Sequence, residues 1–405
     1  MTRFLLHIFI LLFAGYAVHG EPGSSWQSWR SSNRDGKSED KGLLKAWPEG
    51  GPEKLWEKNN LGKGFSSVTV ADGRVFITGA KNGKCVVYCL DMKGQTLWET
   101  EHGAAWTRSY AGSRASVTID RDKAYLLSGH GKLACYEIES GKMVWSRKMS
   151  EFGGKTPNWG YAESALVVNG KVIVSPGGKN CIVALDKKTG RAIWKSRGNG
   201  ASAHYCSAIR VPYRGKHMIV NGNRGGIFAV SESDGETLWS NGFCSGNTAN
   251  CPTPAFSDNY VFWSNGYGKG GICLKISFSG TEVKATEAWR TKDMVCHHGG
   301  YVIHNGYIYG NNNKGWSCLD LKTGEKKWFA KGVGKGSLCY ADGMLYLFGE
   351  RGGNVALAVA SPENFEMTGS FSVSGKGPSW AHPVVTGGRL YLRYGNNLYC
   401  YNVRK

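Results

Sequence analysis

A repeated tryptophan limits the folds open to this chain more than any other feature of its sequence. The segments GQTLWET, GKMVWSR, GRAIWKS, GETLWSN and GEKKWFA each contain a turn glycine followed by a tryptophan four residues later. Eight markers recur at intervals of 39 to 50 residues, at Trp56, Trp98, Trp145, Trp194, Trp239, Trp289, Trp328 and, where a further tryptophan would fall, Phe371. This period is typical of a β-propeller blade, which is a sheet of four strands.

The residues between the markers also follow the pattern of a blade. Segments such as SVTVADGRVFITGA and ALVVNGKVIVSPGG read as two alternating strands joined by an Asp-Gly or Asn-Gly hairpin turn. A third strand then ends in a polar turn such as LDKKTG, in which Asp accepts backbone N–H bonds and Gly supplies a positive φ. The fourth strand carries the tryptophan, so each repeat predicts one antiparallel sheet of four strands.

The ends of the chain supply the eighth blade. The last unit, from about residue 380 to 403, has only three strands, whereas PEKLWEK near residue 56 is a fourth strand without a blade. If the two complete one another, the ring closes and leaves no open edge. We therefore predict an all-β fold, an eight-bladed propeller over residues 52–405 that is closed by N- and C-terminal strands sharing the last blade. Residues 21–51 are predicted to form an irregular arm.

The first 20 residues predict export. Arg3 gives a positive start, residues 4–18 are apolar, and Val18-His19-Gly20 is a small-residue cleavage pattern, so residues 1–20 read as a signal peptide. The apolar run is too short to span a bilayer comfortably, and no later stretch is apolar enough. The residue directly after the predicted cleavage point is Glu21 and not a cysteine, which argues against a lipoprotein. We expect a chain without a membrane span in the periplasm or outside the cell.

The formal net charge is +19, but the basic residues are scattered through the turns. This distribution favours a solvated basic surface, and leaves open an anionic partner such as an acidic polysaccharide or a membrane headgroup. The chain contains no basic stripe and no recognisable nucleic-acid module, so we expect no nucleic-acid partner. We expect a monomer whose partner is a small molecule, an acidic polysaccharide or an envelope protein.

Twelve cysteines in an exported chain would normally suggest disulfides. Four of them precede the polar turn by two residues, where other blades carry alanine: Cys89, Cys135, Cys318 and Cys400. A position that alternates between Cys and Ala is a small buried slot, so we predict packed thiols there. Cys244 and Cys251 are the best candidates for a disulfide, because the six residues between them form a loop that could bring them together.

The segments VALDKKTGRAIW and SCLDLKTGEKKW resemble the tryptophan-docking repeat of the pyrroloquinoline-quinone (PQQ) propeller family. The resemblance covers nearly the whole chain after residue 20, and further segments resemble a secreted bacterial subgroup of quinoprotein-like proteins. It implies the propeller fold, but it does not fix the function. Catalytic members of the family are dehydrogenases that use PQQ and Ca²⁺, and other members are non-catalytic scaffolds such as the barrel-assembly lipoprotein of outer membranes.

The chain departs from the catalytic members of that family. It has no adjacent pair of cysteines to cap a quinone and no C-x-x-C-H segment to attach a haem. Glu163 and Asn250 fall near the positions that bind calcium in those enzymes, but residues 295–300, VCHHGG, contain no aspartate. Calcium requires hard oxygen ligands, whereas this segment offers nitrogen and sulfur. These departures weaken the dehydrogenase hypothesis without removing it.

Residues just before the first strand of each blade, which we call the lead-in segments, crowd around the axis of a propeller on one face. They are GKGFSS, RSYAGSRAS, WGYAES, SAHYCS, TANCPTP, VCHHGG, GKGS and PSWAHP. They predict a shared funnel that contains Arg108, Arg114, Glu163, His204, Tyr205, Asn250, His297, His298, Lys335, Trp380 and His382. As a set, these residues predict a binding site.

Each of these residues also has a structural interpretation. Glu163 would pair with Arg114 or Lys335, as in buried ionic networks of other proteins. Tyr205 and Trp380 would be packing residues whose polar atoms bond to neighbouring segments. Strand alternation would send two adjacent histidines, His297 and His298, to opposite faces, so that one of them would be structural.

The chemistry of the funnel ranks three functions. Arginine, lysine and imidazoles around an aromatic ring suit an anionic, flat or oxygen-rich ligand, so the leading hypothesis is a binding or scaffold protein with its site at this face. The alternative is a PQQ-dependent dehydrogenase acting on an alcohol, sugar or polymer. In it, Glu163 and Asn250 would lie near the cofactor. The base would be one of His204, His297 and His382, and Arg114 or Lys335 would polarise the quinone.

The third and weakest hypothesis is a periplasmic metal-binding protein. Its ligands would come from consecutive blades and are Cys206, Cys251, Cys296, His204, His297 and His298. Hydrolysis ranks last, because the chain contains no nucleophile elbow or zincin motif and the funnel contains only one carboxylate.

Overall fold

Eight antiparallel sheets are arranged around one axis. The computed structural model describes residues 25–246, 248–280 and 282–405, so the predicted signal peptide lies outside the described residues. In seven of the described sheets, four strands that follow one another in sequence are hydrogen-bonded neighbours, from an innermost first strand to an outermost fourth strand. In the eighth sheet, the outermost strand comes from the N-terminal part of the chain. This arrangement confirms the predicted eight-bladed β-propeller.

Blades 1 to 4 follow one another along the chain, and a short 3-10 helix, Met149–Phe152, comes after blade 2. Their strands are, for blade 1, Thr69–Ala71, Arg74–Lys81, Lys84–Asp91 and Thr96–Ala104; for blade 2, Thr118–Asp120, Lys123–Leu127, Lys132–Glu137 and Met143–Lys148; for blade 3, Leu166–Val168, Lys171–Val174, Ile182–Asp186 and Ala192–Ser196; and for blade 4, Ile209–Tyr213, Lys216–Asn223, Gly226–Ser231 and Thr237–Asn241.

Blades 5 to 8 complete the ring. Their strands are, for blade 5, Ala255–Ser257, Tyr260–Asn265, Gly270–Ser279 and Glu282–Thr291; for blade 6, Tyr301–His304, Tyr307–Asn312, Gly315–Asp320 and Lys326–Ala330; for blade 7, Gly336–Ala341, Met344–Gly349, Asn354–Val359 and Met367–Ser372; and for blade 8, Val384–Thr386, Arg389–Tyr394, Asn397–Asn402 and, from the N-terminal part of the chain, Lys54–Lys58. A two-residue strand, Lys37–Ser38, adds to blade 7 in parallel.

Blade 8 closes the ring as predicted. Its outermost strand, Lys54–Lys58, pairs antiparallel with Asn397–Asn402, and Trp56 lies opposite Cys400. One apolar cluster then runs continuously through blades 7, 8 and 1, and it includes Trp26 and Trp47 of the N-terminal arm. Closure therefore buries apolar surface from both ends of the chain, which favours the closed ring over an open one.

The marker tryptophans join each blade to the next. The indole N–H donates to a backbone carbonyl at or just after the end of the next blade's third strand, at 2.8–3.1 Å, in the pairs Trp56 to Met92, Trp98 to Ile138, Trp145 to Lys187, Trp194 to Glu232, Trp289 to Leu321 and Trp328 to Ser361. The ring also covers the turn glycine, as Trp194 covers Gly235, where a Cβ would lie 2.6 Å from the ring. The glycine of the repeat is therefore required for this contact.

Blade 7 differs from the sequence prediction. Its strand register places Gly369, not Phe371, opposite Leu357, the position that a marker tryptophan takes in the other blades. Trp47 of the arm fills the space above Gly369, and it packs against Phe371 with ring centroids 5.2 Å apart. Phe371 lies two residues beyond the marker position of the strand. Its ring covers Gly51, in the way that a marker tryptophan covers a turn glycine.

The predicted packed thiols are confirmed. Cys89, Cys135, Cys318 and Cys400 are buried, and each lies opposite the marker tryptophan of its blade. The suggested disulfide is not formed, because both of its cysteines are free thiols and the Sγ of Cys244 instead contacts the carbonyl of Arg224 at 3.1 Å. Among the described residues, no helix has the length and the apolar character needed to cross a membrane.

Candidate ligand-binding cavity on the propeller axis

The N-terminal arm enters the axis of the propeller. Residues 26–38, which we call the plug, hydrogen-bond to the innermost strand of every blade or to the residues near that strand. The partners in blades 1 to 8 are Val70, Ile119, Ala165, Ala208, Thr253, Tyr301, Tyr340 and His382. The sequence indicated an irregular arm but gave no sign of these contacts. The chain therefore closes its own axial channel.

Two buried arginines hold the plug in place. Arg34 donates from Nη1 to the carbonyl of Ala208 at 2.8 Å and from Nη2 to the carbonyls of Ser164, at 3.0 Å, and Ala165. Arg30 donates to the carbonyl of Tyr301 and contacts His382. Burial lowers the pKa of Arg34 to about 10, so its guanidinium remains charged at neutral pH. Charged donors to backbone carbonyls are strong hydrogen bonds, which fix the plug across the ring.

A cavity of about 140 Å³ lies on the axis above the plug. Most of its wall comes from the lead-in segments, and Trp29 of the plug forms its floor. The lining residues are Trp29, Phe65, Tyr110, Arg114, Trp159, Ala162, Ser164, Tyr205, Ser207, Ala249, Cys251, Tyr267, His297, His298 and Trp380. No aspartate or glutamate is among the described residues of this wall. The cavity is thus a mainly aromatic site with a few convergent polar groups.

Six of the predicted site residues meet in this wall. They are Arg114, Tyr205, Cys251, His297, His298 and Trp380. Lys335 does not line the cavity, but it donates a hydrogen bond to His297, which does. The remaining predicted site residues lie outside the lining, and they are Glu163, His204, Asn250, His382, Cys206 and Cys296. Arg108 is exposed, and its guanidinium lies 5.6 Å from the ring of Trp106.

The two adjacent histidines do not point to opposite faces, which corrects the prediction from strand alternation. Residues 295–300 are irregular, and the first strand of blade 6 begins only at Tyr301. The rings of His297 and His298 lie with centroids 3.7 Å apart, and His298 stacks on Trp380 at 4.1 Å. Alternation applies to extended strands, so it has no force in this segment. Both imidazoles therefore line the cavity.

His297 is the centre of a hydrogen-bonded chain. Lys335, which pairs with Glu350 at 2.7 Å, donates from Nζ to Nδ1 of His297 at 2.9 Å. The proton of the ring must then lie on Nε2, which donates to the hydroxyl of Tyr267 at 3.0 Å. Burial and the charge of Lys335 lower the pKa of His297 to about 3, so the ring is neutral at pH 7. These hydrogen bonds orient the hydroxyl of Tyr267, which lines the cavity.

His382 and His204, the other two candidate bases, are occupied by structural hydrogen bonds. Nδ1 of His382 contacts Arg30 at 3.2 Å, and Nε2 contacts the carbonyl of His298 at 2.9 Å. Nδ1 of His204 lies 2.7 Å from the side-chain amide of Asn250, whose oxygen accepts from the backbone of Ser245. Burial lowers the pKa of His382 to about 3 and that of His204 to about 4. Neither ring reaches the cavity.

Glu163 is buried behind the wall, and it does not pair with Arg114 or Lys335, as its structural interpretation had suggested. Its two carboxylate oxygens accept from the backbone N–H of Ser175, at 2.7 Å, and from the hydroxyl of Ser175, at 3.1 Å. Burial raises the pKa of Glu163 to about 7, although Ser175 and the charge of Arg34 act in the opposite direction. The carboxyl group is therefore partly protonated at neutral pH.

The cysteines do not form a metal site with the histidines. Among the described residues, no three His, Cys, Asp or Glu side chains come together in a group that could hold a metal ion. The Sγ of Cys206 contacts the carbonyl of Pro252 at 3.1 Å, and the Sγ of Cys296 contacts that of Gly300 at 3.5 Å. Burial raises the pKa of the thiol of Cys251 to about 12, so without a metal ion it is protonated at neutral pH.

Sequence reasoning missed five aromatic residues of the wall: Trp29, Phe65, Tyr110, Trp159 and Tyr267. Phe65, Tyr110 and Trp159 lie within lead-in segments, so their position could have been read from the repeat. Tyr267 lies in a turn of blade 5, and Trp29 belongs to the aperiodic arm, where no repeat gives a signal.

Two tyrosines at the mouth of the cavity adopt a backbone conformation that tyrosine rarely takes. Tyr110 and Tyr267 both have φ of 56°, and their side chains are 55% and 53% exposed. The ring of Tyr110 lies 4.8 Å from that of Trp380, and the ring of Tyr267 lies 4.7 Å from that of His297. Left-handed bulky residues carry strain, and such strain concentrates at ligand sites.

Comparison with known proteins places this geometry among PQQ-like propellers. Residues 83–330 match the family model described as "Outer membrane protein assembly factor BamB". An outer membrane protein assembly factor BamB from Moranella endobia (strain PCIT) is 27% identical over 207 residues, which cover 49% of this chain and 49% of that protein. The quinohemoprotein alcohol dehydrogenase ADH-IIG of Pseudomonas putida is 27% identical over 150 residues, which cover 34% of this chain and 20% of the enzyme.

The chain thus matches about half of the first of these relatives and a smaller part of the second. Among solved structures, BamB from Moraxella catarrhalis superposes with a TM-score of 0.65 and 14% sequence identity. The superposition covers 87% of this chain and 99% of that one. At this identity, the likeness establishes the fold alone.

Proposed function

Because the chain belongs to the PQQ-like propeller family described as outer membrane protein assembly factor BamB, we propose that it is a binding or scaffold protein whose ligand or partner occupies the axial cavity. The observation that carries this proposal is the composition of the cavity wall. It combines aromatic faces with hydrogen-bond donors, and none of its described residues is a carboxylate. Such a wall recognises a ligand, and among its described residues it contains no carboxylate that could remove a proton from one.

The histidines support the same conclusion. His204 and His382 lie outside the lining and are held by other side chains. His297 lies in the wall, but its accepting nitrogen, Nδ1, already accepts a hydrogen bond from Lys335. A general base must have a free acceptor within reach of the substrate. His204, His297 and His382 therefore serve to position neighbouring groups. Nδ1 of His298 has no partner among the described residues, but burial lowers the pKa of that ring well below 6.5, so it is a weak base.

The groups that the resemblance would assign to calcium do not fit that ion. Both oxygens of Glu163 accept from Ser175, and the side-chain oxygen of Asn250 accepts from the backbone of Ser245. Calcium needs six or more oxygen ligands, and the wall adds no carboxylate to these two residues. We therefore derive no reaction step through calcium-bound PQQ.

A PQQ-dependent alcohol, sugar or polymer dehydrogenase is the second candidate function, and the sequence similarity to a quinohemoprotein alcohol dehydrogenase favours it. Incubation of the purified protein with PQQ and Ca²⁺ tests the two functions, with visible absorption, dye reduction by alcohols and melting temperature as the readouts. We expect neither a stoichiometric quinone spectrum nor dye reduction. Both together would overturn the binding proposal.

A parallel incubation with Cu²⁺ or Zn²⁺ tests the third candidate, a periplasmic metal-binding protein. A ligand that binds the native state raises the melting temperature by mass action. Because the described histidines and cysteines form no cluster of three, we expect no stoichiometric shift with either metal. A saturable shift at one equivalent would favour the metal-binding function.

We also propose that residues 1–20 are a signal peptide and that the chain acts in the periplasm or outside the cell, as a monomer and without a nucleic-acid partner. The charged start and apolar run of the sequence support this proposal, as does similarity to an outer membrane assembly factor. Cell fractionation and N-terminal sequencing test it. We expect the exported chain to begin near Glu21, and retention of the uncleaved chain in the cytoplasm would contradict the proposal.

A further inference from the structure

We propose that the axial cavity binds a ring that carries one carboxylate, such as the uronic acid unit of an acidic polysaccharide or a small aromatic acid. This inference rests on the proposed function, because it requires the cavity to be a binding site. It names the class of ligand, and four independent features of the wall support it.

The first feature is an unbalanced positive charge. Arg114 lines the cavity, and its guanidinium donates to the carbonyls of Trp159, Tyr110 and Ser109. Within the described ranges, no carboxylate forms an ion pair with Arg114, whereas Lys335 is neutralised by Glu350. Three of the five N–H groups of the guanidinium are used, so two remain for a ligand. A carboxylate would supply both the missing charge and the acceptors.

The second feature is that the hydroxyl groups of the wall act as acceptors toward the protein. Ser164 accepts from the backbone of Ser116 and Ser207 from that of Ser164, both at 3.0 Å, and Tyr205 accepts from the backbone of Trp159 at 3.3 Å. The hydroxyl of Tyr267 accepts from His297. The hydroxyl protons are then left to donate, so the wall requires a ligand that is rich in acceptors.

The third feature is a pair of buried polar atoms without partners. Nδ1 of His298 and Nε1 of Trp380 have no hydrogen-bond partner among the described residues, although both are buried. The two rings are stacked at the cavity wall. A buried polar group without a partner is costly, so a ligand that reached these two atoms would stabilise the wall.

The fourth feature is the set of aromatic faces, which suits a ring and not a free inorganic anion. The ring centroids of Phe65 and Tyr110 each lie 4.8 Å from that of Trp380, and the centroids of Trp159 and Tyr205 lie 5.8 Å from each other. Aromatic faces pack against the apolar face of a ring. The ligand is therefore flat on at least one face and charged at its edge.

Binding of two matched pairs of compounds tests the inference by calorimetry on the purified protein. The pairs are D-glucuronate with D-glucuronamide, and benzoate with benzamide, so each acid is compared with an uncharged amide of the same shape. We expect at least one acid to bind at least tenfold more tightly than its amide. The sugar pair and the aromatic pair distinguish the two sources of the carboxylate.

Variants connect the preference to Arg114. Arg114→Gln should reduce the preference for the acid about tenfold, and Arg114→Lys should retain part of it, because the charge remains while the planar donor set is lost. Arg108→Gln removes the same charge from the same segment but outside the cavity, so it should leave the preference unchanged. If Arg114→Gln does not fold, the salt dependence of acid binding to the unaltered protein replaces it, since screening must weaken a charge-driven preference.

The outcomes separate this inference from the proposed function. If the amides bind as tightly as the acids, or if neither acid binds, the carboxylate class is wrong. The binding proposal then still depends on its own test with PQQ. Dye reduction with PQQ and an alcohol would overturn the proposed function whatever the acids do. Equal losses in the Arg114 and Arg108 variants would also contradict the inference.

Discussion

Glu163 shows how the burial of one carboxyl group changes the pH dependence of the whole protein. Its side chain is 1% exposed, and Arg34 and Ser175 compensate only part of the cost of burying its charge. The pKa is therefore raised from 4.5 to about 7. In the folded state the group binds its proton more tightly than in the unfolded state, so folding is favoured where the group is protonated.

Glu163→Gln should remove this pH dependence. As the pH rises from about 5 to about 8, the buried carboxyl group of Glu163 ionises, and this lowers the stability of the unaltered protein. The variant has no carboxyl group at this position. We expect the free energy of unfolding of the unaltered protein to fall by about 3 kcal/mol relative to the variant across this range. Denaturant unfolding of both proteins at several pH values measures the difference.

The comparison must be made between variants, because other buried groups act with the opposite sign. Burial lowers the pKa of His102 to about 4 and that of His382 to about 3. These rings are charged more readily in the unfolded state, so their contribution to stability is lost as the pH falls below about 6.5. Glu99→Gln, at an exposed site, provides the matched control for the loss of one carboxylate. A stability difference between the unaltered protein and Glu163→Gln that does not change with pH would contradict the assignment.

At the scale of the element, the marker tryptophan performs two tasks that the sequence does not separate. It covers the turn glycine of the next blade, and it donates a hydrogen bond to a carbonyl at the turn. Trp194 performs both, by covering Gly235 and donating to Glu232 at 3.1 Å. Trp239 is equally buried, but its Nε1 has no acceptor among the described residues.

These two tryptophans form a natural pair for measuring the hydrogen bond. Trp194→Phe loses packing and leaves the carbonyl of Glu232 without its donor. Trp239→Phe loses packing but also removes a buried N–H that has no acceptor among the described residues. We expect Trp194→Phe to cost about 1 kcal/mol more in the free energy of unfolding. Chemical denaturation of the two variants measures this difference. Equal costs would show that the indole hydrogen bond contributes nothing to the joining of blades.

The blades could be predicted because their determinants are local and periodic. An Asn-Gly or Asp-Gly turn requires positive φ, and Asp72, Asn169 and Asn305 do adopt it. The register of blade 7 could not be predicted, because the residue that takes the marker's place, Trp47, belongs to the arm and is more than 300 residues away from Gly369 in sequence. Periodicity indicates which segments form strands, but not which distant side chain fills a gap.

At the scale of the whole molecule, the ring and the plug depend on each other. The lead-in segments could be identified from the repeat, so the sequence predicted that Arg114, Tyr205, His297, His298 and Trp380 converge on the axis. It could not predict the floor of the cavity, because the contacts of the plug join residues from 44 positions apart, Trp26 and Val70, to 352 positions apart, Arg30 and His382, and follow no period. The plug adds Trp29 to a cavity that the blades alone would leave open below.

Arg34→Met should weaken the attachment of the plug to the ring of blades. The variant keeps much of the side-chain volume but leaves the carbonyls of Ser164, Ala165 and Ala208 without their charged donor. We expect the free energy of unfolding to fall by about 2 kcal/mol, since the carbonyls of Ser164 and Ala208 lose the guanidinium and each unpaired buried acceptor costs about 1 kcal/mol or more. The carbonyl of Ala165 still accepts from the hydroxyl of Thr118 at 2.7 Å. We also expect the pKa of Glu163 to rise further, because the charge of Arg34 lowers it.

Release of the plug has a direct readout. Trypsin should cleave the variant after Lys37 and Lys41 faster than it cleaves the unaltered protein, because Lys37 is held in a strand beside Tyr340 only while the plug is seated. Lys45→Met removes a partly exposed ion pair of the same arm, with Asp342 at 2.8 Å, so it should lower stability by at most about 1 kcal/mol and change cleavage less than Arg34→Met does. If Arg34→Met lost stability without faster cleavage of the arm, the plug would be held by its apolar contacts, chiefly those of Trp26, and the arginine would not be its anchor.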